Sequence, residues 1–501
     1  MAYSRPGVYI SERLLTAPVA GGVTADAAGA IVAPLAQGPE AVTLVTSWYE
    51  FAKNFGGYNA SYPATFEVAS FFNNGGRELY VKRLLSSDAD PASVDVETSG
   101  SVVVFTATAK NKGTDGNNLR VGVTLGTVSS TYTITVYKES GLANEIADDI
   151  VLERYENVVF NDPTSSDYAE TVINLVSANI SIDNSASGVP VVGFYPLTGG
   201  SNGTTPVAAD YLDYQSTDAS VFEVFSTLDR PLVLFLPAIH STLAADINDV
   251  YDDATAWAST NNGFVVASTA VDKTSAEAIS FAASLADTSF AAVYYPHLFI
   301  ADPLGRGAGA LRKIAPAGAV AGLYLATDAT RGVFKAPAGI GATLTGVVAV
   351  EKSFSSTELD SLNASTSPVN PIRQIPGAGL AVMGARTLKQ DGTANKYVNM
   401  RRSLIYIRKN LKNLTEFAIF ENNDERLWAR INNGITVFLN EYRNQGGLRG
   451  ATIGQSFFIK CDAENNSAQQ IANGEVHVQV GVALQYPAEF IVIDLSQKTL
   501  N

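Results

Sequence analysis

One cysteine, Cys461, in 501 residues rules out an internal disulfide framework and points to folding in a reducing compartment. Histidine is nearly as scarce. His240, His297 and His477 are the three available bases, and none has a metal-like partner at helical or hairpin spacing. No Gly-x-x-x-x-Gly-Lys-Ser/Thr segment occurs, so nothing indicates nucleotide hydrolysis. Met-Ala-Tyr-Ser-Arg-Pro-Gly carries no basic-then-apolar leader, and Val19–Ala36 is interrupted by Asp26, three glycines and Pro34, which excludes a membrane span there. The expectation is a chain made and folded in a cytoplasm. Charged residues are also few, 17% against 46% hydrophobic, which is the balance of a folded rather than a disordered protein, with length for about three domains.

What charge there is lies unevenly. The net charge is −15, yet between Arg386 and Lys460 there are 13 Lys/Arg against 6 Asp/Glu, leaving 21 against 43 elsewhere. A basic C-terminal module facing an acidic partner is one reading, and a solvated basic face is the plainer one. In that module Met400, Leu404, Ile407, Leu411 and Leu414 form one apolar helical stripe over Tyr397–Leu414. Arg401, Arg408 and Lys412 lie one position round, with Arg402 and Lys409 beside them. A strand is expected at Glu416–Phe420 and a second helix at Asp424–Arg443, with acids in its first turn and Leu427, Ile431, Ile435, Phe438 and Tyr442 inward. Gly446-Gly447 stops it. A strand at Phe457–Cys461 and alternating segments at Glu475–Leu484 and Glu489–Leu495 close the chain, with Cys461 as a core thiol.

Upstream, Val8-Tyr9-Ile10 after Pro6-Gly7 reads as a short extended arm. Two strands are expected around Gln37-Gly38-Pro39, then a helix Trp48–Phe55 capped by Ser47, a helix Pro63–Asn73 and a strand Glu78–Leu85. Residues 91–197 turn Ser/Thr/Val-rich and alternating, as an inserted antiparallel domain with a helix near Ser166–Ser177. From Ala208 the pattern becomes helices alternating with runs apolar on both faces, Pro231–Leu236, Gly263–Ala267 and Ala291–Phe299, which imply a parallel sheet covered by helices at Thr242–Ser259 and Ser275–Leu285. Gly305–Gly346 is so rich in small residues that a tightly packed loop is expected.

Candidate chemistry is thin. Gly199-Gly200-Ser201-Asn202-Gly203 matches the Gly-x-Ser-x-Gly nucleophile pattern, but Thr204-Thr205-Pro206 follows where a helix should start. A serine hydrolase would pair Ser201 with His240, which follows an apolar strand. Gly305-Arg306-Gly307-Ala308-Gly309 misplaces the third glycine of a dinucleotide loop. No convincing catalytic constellation emerges.

Specific stretches carry a resemblance. Tyr3–Glu12, then Gly38-Pro39 with Val45-Thr46-Ser47-Trp48-Tyr49-Glu50-Phe51 and Phe55-Gly56-Gly57, is similar to the opening of contractile phage tail sheath proteins. Phe71–Gly76 with Tyr80-Val81-Lys82-Arg83, and Asp328–Gly332 with Lys335-Ala336-Pro337, continue it. The densest match runs through Gly384–Thr387, Tyr397–Arg402, Phe420–Asp424, Leu427-Trp428, Leu448-Arg449-Gly450, Lys460-Cys461-Asp462 and Pro487–Phe490.

This resemblance implies a multidomain α/β and α+β protein. It has a central subtilisin-like α/β domain (21–90 plus 198–370), an inserted mainly-β outer domain (91–197) and a conserved C-terminal α+β domain (371–484) facing an inner tube. Arms at 1–20 and 485–501 would add strands to neighbouring subunits, anchored by Val8, Tyr9 and Ile10 and by Phe490, Val492 and Leu495. It implies a structural protein without enzyme activity, cofactor or metal: a sheath subunit that stacks helically on itself around the tube protein, between baseplate and tail terminator, and contracts. Its place would be a virion tail assembled in the host cytoplasm, with no direct nucleic-acid contact and no membrane insertion. The sheath of a phage-derived contractile injection system or R-type bacteriocin fits the same motifs. Arg401, Arg402, Arg408 and Lys412 are the candidate tube contacts, on charge alone; a nucleic-acid reading of the same stripe would predict steep salt dependence.

Overall fold

The computed structural model describes residues 27–139, 149–185, 188–213, 219–243, 245–307, 309–389 and 394–489. The described chain divides into two units, 27–402 with 486–489, and 403–485.

The larger unit is organised by strands buried on both faces. Strand β1, Ala28–Pro34, is buried at all but its last residue, because Ala-Gly-Ala-Ile-Val-Ala has nothing polar to offer either side. Strands β2 (Thr43–Val45) and β3 (Leu79–Leu84) flank helices α1 (Trp48–Phe55) and α2 (Ala64–Asn73) in sequence. Ser47 caps α1, its hydroxyl accepting the Glu50 amide, and Gly56 ends it at φ 94°. The two strands expected around Gln37-Gly38-Pro39 both exist but do not pair with each other. Strand β3 lies between them, parallel to β1 and antiparallel to β2.

The inserted lobe follows, with β4 (Ser93–Glu97), β5 (Val103–Ala109), β6 (Leu119–Leu125), β7 (Tyr132–Lys138), β8 (Ile150–Val158), helix α3 (Ala169–Val176), β9 (Ile180–Asn184) and β10 (Gly193–Pro196). Its strands make two antiparallel sheets, β10-β6-β7-β8 and β4-β5-β9. They enclose one core containing Phe105, Ile134, Val136, Phe160 and Ile173, with Phe105 stacked on Phe160 at 4.9 Å.

After helix α4 (Ala208–Leu212) come β11 (Leu232–Phe235), helices α5 (Ile239–Thr242) and α6 (Ile247–Thr260), β12 (Gly263–Ser268), α7 (Ser275–Ser284) and β13 (Ala291–Tyr295). The apolar run Ala291–Phe299, expected as one strand, is broken at Pro296. Proline has no N–H to continue the ladder, and β14 (Leu298–Ala301) departs into a separate sheet with β15 (Leu311–Ile314) and β16 (Val347–Val350). Beyond α8 (Ala317–Arg331) and α9 (Ser356–Ala364), strands β17 (Val369–Ile375) and β18 (Gly379–Val382) complete the main sheet. Its order is β18-β17-β13-β12-β11-β1-β3-β2, with parallel pairing from β3 through β17 and antiparallel strands at both edges. The fold is thus mixed α/β with several sheets.

The stretch Gly305–Gly346, expected as packed loop, contains α8, a helix of 15 residues. Alanine is the best helix former, and here the small side chains serve close approach to α2. A Cβ at Gly318 would lie 2.3 Å from the Glu67 carbonyl oxygen, and one at Gly322 would lie 2.2 Å from that of Phe71.

The division between the units falls within helix α10, Val398–Thr415. Burial on this helix departs from the expected stripe: Met400 and Ile407 are buried, Leu404, Leu411 and Leu414 only half-buried, and Ile405, Lys409 and Asn410 are buried as well. Where a strand was expected at Glu416–Phe420 there is a 3-10 turn, Glu416–Ala418, and Phe420 sits at φ 65°. The chain must reverse before the next helix, and local bonds from Ile419 N to Glu416 O and from Glu421 N to Ala418 O, each 3.2 Å, take the place of a ladder. Helix α11, Glu425–Asn444, follows as expected. Asp424 caps it through the amides of Arg426 and Leu427, and Leu427, Ile431, Ile435, Phe438 and Tyr442 are all buried, joined by Trp428 and Leu439. Short helices α12 (Ile453–Ser456) and α13 (Ala468–Ala472) accompany a two-stranded antiparallel sheet of β19 (Phe457–Lys460) and β20 (Gln479–Val482).

Candidate functional site

The hydrolase candidates do not converge. Ser201 forms an antiparallel bridge with Asp90, each amide donating to the other's carbonyl at 3.0 and 2.9 Å, and Gly199 and Gly203 at positive φ make its surroundings a turn. His240 lies beyond β11, its Nε2 2.6 Å from the Ser268 carbonyl and its ring against Tyr251 and Phe281. It lines a cavity of about 230 Å³ with Glu67 and His297, and Ser201 is not in that lining. Burial, then the neighbouring His240, holds His297 down to about 4, so it is neutral near pH 7. His477 is exposed and bonds Glu475 at 2.8 Å. Gly305-Arg306-Gly307 sits where β14 turns antiparallel into β15, not at a strand-to-helix turn, and Arg312 there grips Asp302 bidentately at 3.0 Å. Among the described residues no group of three or more His, Cys, Asp or Glu could hold a metal ion. None of the described helices is long and apolar enough to cross a membrane.

The basic stripe separates into two pairs. Arg402 is 5% exposed and grips Asp328 through both terminal nitrogens at 2.9 and 2.5 Å, over the ring of Tyr324 at 4.8 Å. Arg401 stacks on Phe290 at 4.5 Å and donates to the Asn395 side chain at 3.0 Å. Both charges are therefore used within the larger unit. Arg408 and Lys412, one turn apart, are exposed. The arm anchors Val8, Tyr9, Ile10, Phe490, Val492 and Leu495 lie outside the described residues.

The smaller unit holds a feature that periodicity did not point to. A groove of about 790 Å³ opens between α10, α11 and the chain leading into β20. Leu411 and Thr415 form one wall, Ile431 and Ile435 another, and alternate residues Val476, Val478 and Val480 a third. Ile419 and Phe420 stand at its mouth, and Phe420 is fully exposed at 104% of its reference area. Phe420 was visible in the sequence, but as part of a strand, where its side chain would have been assigned to a sheet face.

Proteins of contractile sheaths share this fold. The sheath complex of an extracellular contractile injection system, in its contracted state, superposes with a TM-score of 0.58 at 21% identity, covering 99% of both chains. The contracted helical sheath of the anti-feeding prophage gives 0.58 at 19%, covering 99% of this chain and 100% of that one. A sheath tail protein from Listeria innocua gives 0.60 at 13%, covering 91% and 95%. In sequence, residues 390–498 match the phage tail sheath C-terminal domain family. The tail sheath protein of Vibrio phage KVP40 is 25% identical over 184 residues, 36% of this chain and 26% of that protein. The tail sheath protein of Salmonella phage ViI is 22% identical over 128 residues, 26% and 19% respectively. This chain thus aligns with about a quarter or less of the length of these curated relatives. The resemblance to contractile tail sheath proteins read from the motifs holds in family match, curated relatives and fold alike.

Proposed function

We propose that the protein is the structural subunit of a contractile tail sheath. It polymerises helically around an inner tube and, on contracting, drives that tube through a host cell envelope. The observation that carries this reading lies in the smaller unit: among its described residues, a two-stranded sheet stands beside an open, Val-lined groove, within the segment matching the sheath C-terminal domain. Two strands are marginal alone, and an exposed edge accepts a foreign strand through main-chain hydrogen bonds. Arms carrying Val8, Tyr9 and Ile10, or Phe490, Val492 and Leu495, have the β-branched and aromatic side chains suited to that role. About five such bonds at roughly 1 kcal/mol each, plus one or two buried side chains, contribute roughly 5–10 kcal/mol gross per arm. Head-to-tail exchange of this kind does not close on itself and propagates as a helix.

In this reading the parallel sheet of the larger unit is the subtilisin-like central domain (21–90 plus 198–370), the lobe at 91–197 faces outward, and 371–484 faces the tube. Arms at 1–20 and 485–501 link subunits. Contraction is a rearrangement of whole subunits about these arms, its energy stored at assembly in a kinetically trapped lattice. Arg408 and Lys412 are the tube contact. Baseplate and terminator proteins bound the stack in a tail assembled in the host cytoplasm, without direct contact to nucleic acid. Coverage of 99% against two injection-system proteins supports a second reading, a phage-derived injection machine or R-type bacteriocin built from the same parts.

Electron microscopy of the purified protein, alone and with its tube protein, tests the proposal: striated tubes are expected. Val478→Lys in the groove, or deletion of residues 1–12, should leave soluble, folded subunits. Tubes formed equally by both variants would sink the strand-exchange model, and absence of tubes from the parent protein in either mixture would sink the sheath assignment.

A further inference from the structure

Arg83, near the end of β3, is 1% exposed, among the largest fully buried side chains in the protein. Its guanidinium makes five hydrogen bonds, as many as it has N–H groups. Three go to carbonyls of the turn after β1: Nε to Leu35 at 3.0 Å, Nη1 to Gly38 at 2.9 Å and Nη2 to Ala36 at 3.2 Å. The other two cross into the inserted lobe and its exit: Nη1 to the Lys112 carbonyl at 2.7 Å and Nη2 to Asn202 Oδ1 at 2.9 Å. Asn202 extends the tie. Its Nδ2 donates to the Ala36 carbonyl at 3.2 Å and to the Tyr62 hydroxyl at 2.7 Å, and its Oδ1 accepts the Thr114 amide at 3.2 Å. Gly113 sits at φ 114°, and a Cβ there would lie 2.2 Å from Asn202 Oδ1 and 2.7 Å from Arg83 Nη2. The backbone at 113 is thus shaped to let these two side chains through.

The lobe joins the central sheet through two chain crossings, which hold each other by the Asp90–Ser201 and Ser93–Thr198 bridges and by Asp88 accepting the Thr204 amide. Those contacts bind crossing to crossing. A two-stranded stem of this kind leaves a lobe free to bend about it. The Arg83 and Asn202 contacts, by contrast, bind the crossings and the Lys112–Thr114 turn to the β1 turn of the central sheet.

We propose that Arg83, seated through Asn202 and Gly113, is a rivet that makes the inserted lobe a rigid extension of the central sheet, so that the two move as one piece. This holds for a single chain and does not depend on what the chain assembles into. A guanidinium is suited to it: planar, permanently charged and able to hold five acceptors in a fixed fork, which a lysine cannot.

Spin labels at Tyr49→Cys and Leu175→Cys, both at exposed positions, in a Cys461→Ala background of the full chain, read the lobe-to-sheet distance. Dilution with unlabelled chain restricts the signal to one subunit. The parent should give one narrow distance distribution. Arg83→Met, Asn202→Ala and Gly113→Ala should each broaden it, and amides at 200–204 should exchange at least about tenfold faster. Arg83→Lys should broaden it nearly as much as Arg83→Met. If Arg83→Met fails to fold, Asn202→Ala and Gly113→Ala decide the matter. Distributions and exchange rates that match the parent in folded variants would overturn the rivet.

Discussion

Glu67 shows what a single residue can be made to do by distant chain. It lies on α2, 4% exposed, with Oε1 accepting the Ala238 amide at 2.7 Å across 171 residues of sequence and Oε2 buried without a hydrogen-bond partner. Burial pushes its carboxyl up to about 8, while burial and the neighbouring His240 hold His297 down to about 4. The two act oppositely on stability. Glu67 lies above its ordinary 4.5, so its contribution is fully present below that pH and is lost as pH rises towards about 8. His297 lies below its ordinary 6.5, so its contribution is present above that pH and is lost as pH falls towards about 4. Between 6.5 and 8 Glu67 acts alone, and the larger unit should lose stability there by up to about 2 kcal/mol. Glu67→Gln, which stays neutral, should flatten that decline. Urea midpoints measured across this interval check it, and an unchanged slope in the variant would assign the decline elsewhere. No sequence pattern could have shown this, since in sequence Glu67 is one more acid in a first helical turn.

At the scale of elements, legibility tracked how strongly one face differed from the other. Helix α11 was readable to the residue because Leu427, Ile431, Ile435, Phe438 and Tyr442 alternate with charged and amide side chains. The strands β11 and β12 were readable because both faces are apolar. Helix α8 was not, because a helix buried nearly all round on small residues has no contrast to detect, and its glycines imitate a loop. The same substitution should therefore act with opposite sign in the two helices. In α11, Gly434 has open space around an added Cβ, and Gly434→Ala should stabilise by about 1 kcal/mol through helix propensity. In α8, Gly322→Ala has the same propensity gain but drives a methyl to 2.2 Å from the Phe71 carbonyl, against backbone that cannot rotate away. Overpacking of this kind costs about 1–3 kcal/mol, which exceeds the gain, so Gly322→Ala should destabilise. Chemical denaturation of the two variants side by side decides it; a shared sign would contradict the packing argument.

For the whole molecule, the informative quantity is which basic residues face outward. A chain of net −15 concentrates basic residues between Arg386 and Lys460, but not all of that charge faces outward. Arg386 is bound bidentately by Glu489 at 3.0 and 2.6 Å, Arg402 by Asp328, and Arg401 covers Phe290. Arg408 and Lys412 stay exposed at helical spacing of four on α10. On the sheath reading they are the surface that matches subunit stacking to the tube. Reversing both, Arg408→Glu with Lys412→Glu, changes local charge by four while touching no buried contact of Arg401 or Arg402. Like-charged neighbours at this spacing cost a helix only about 0.5 kcal/mol, so the fold should survive. Lys412 also lines the groove, so Arg408→Glu alone, which leaves that lining intact, should polymerise as the parent does, because strand exchange rests on main-chain bonding. What should fail is length control. The variant should form sheath-like tubes of broad length distribution that do not co-sediment with the tube protein, and co-assembly of the parent should weaken as salt rises above about 0.15 M. Tails of normal length from the double variant would remove Arg408 and Lys412 from the tube interface and leave the basic surplus as a solvated face.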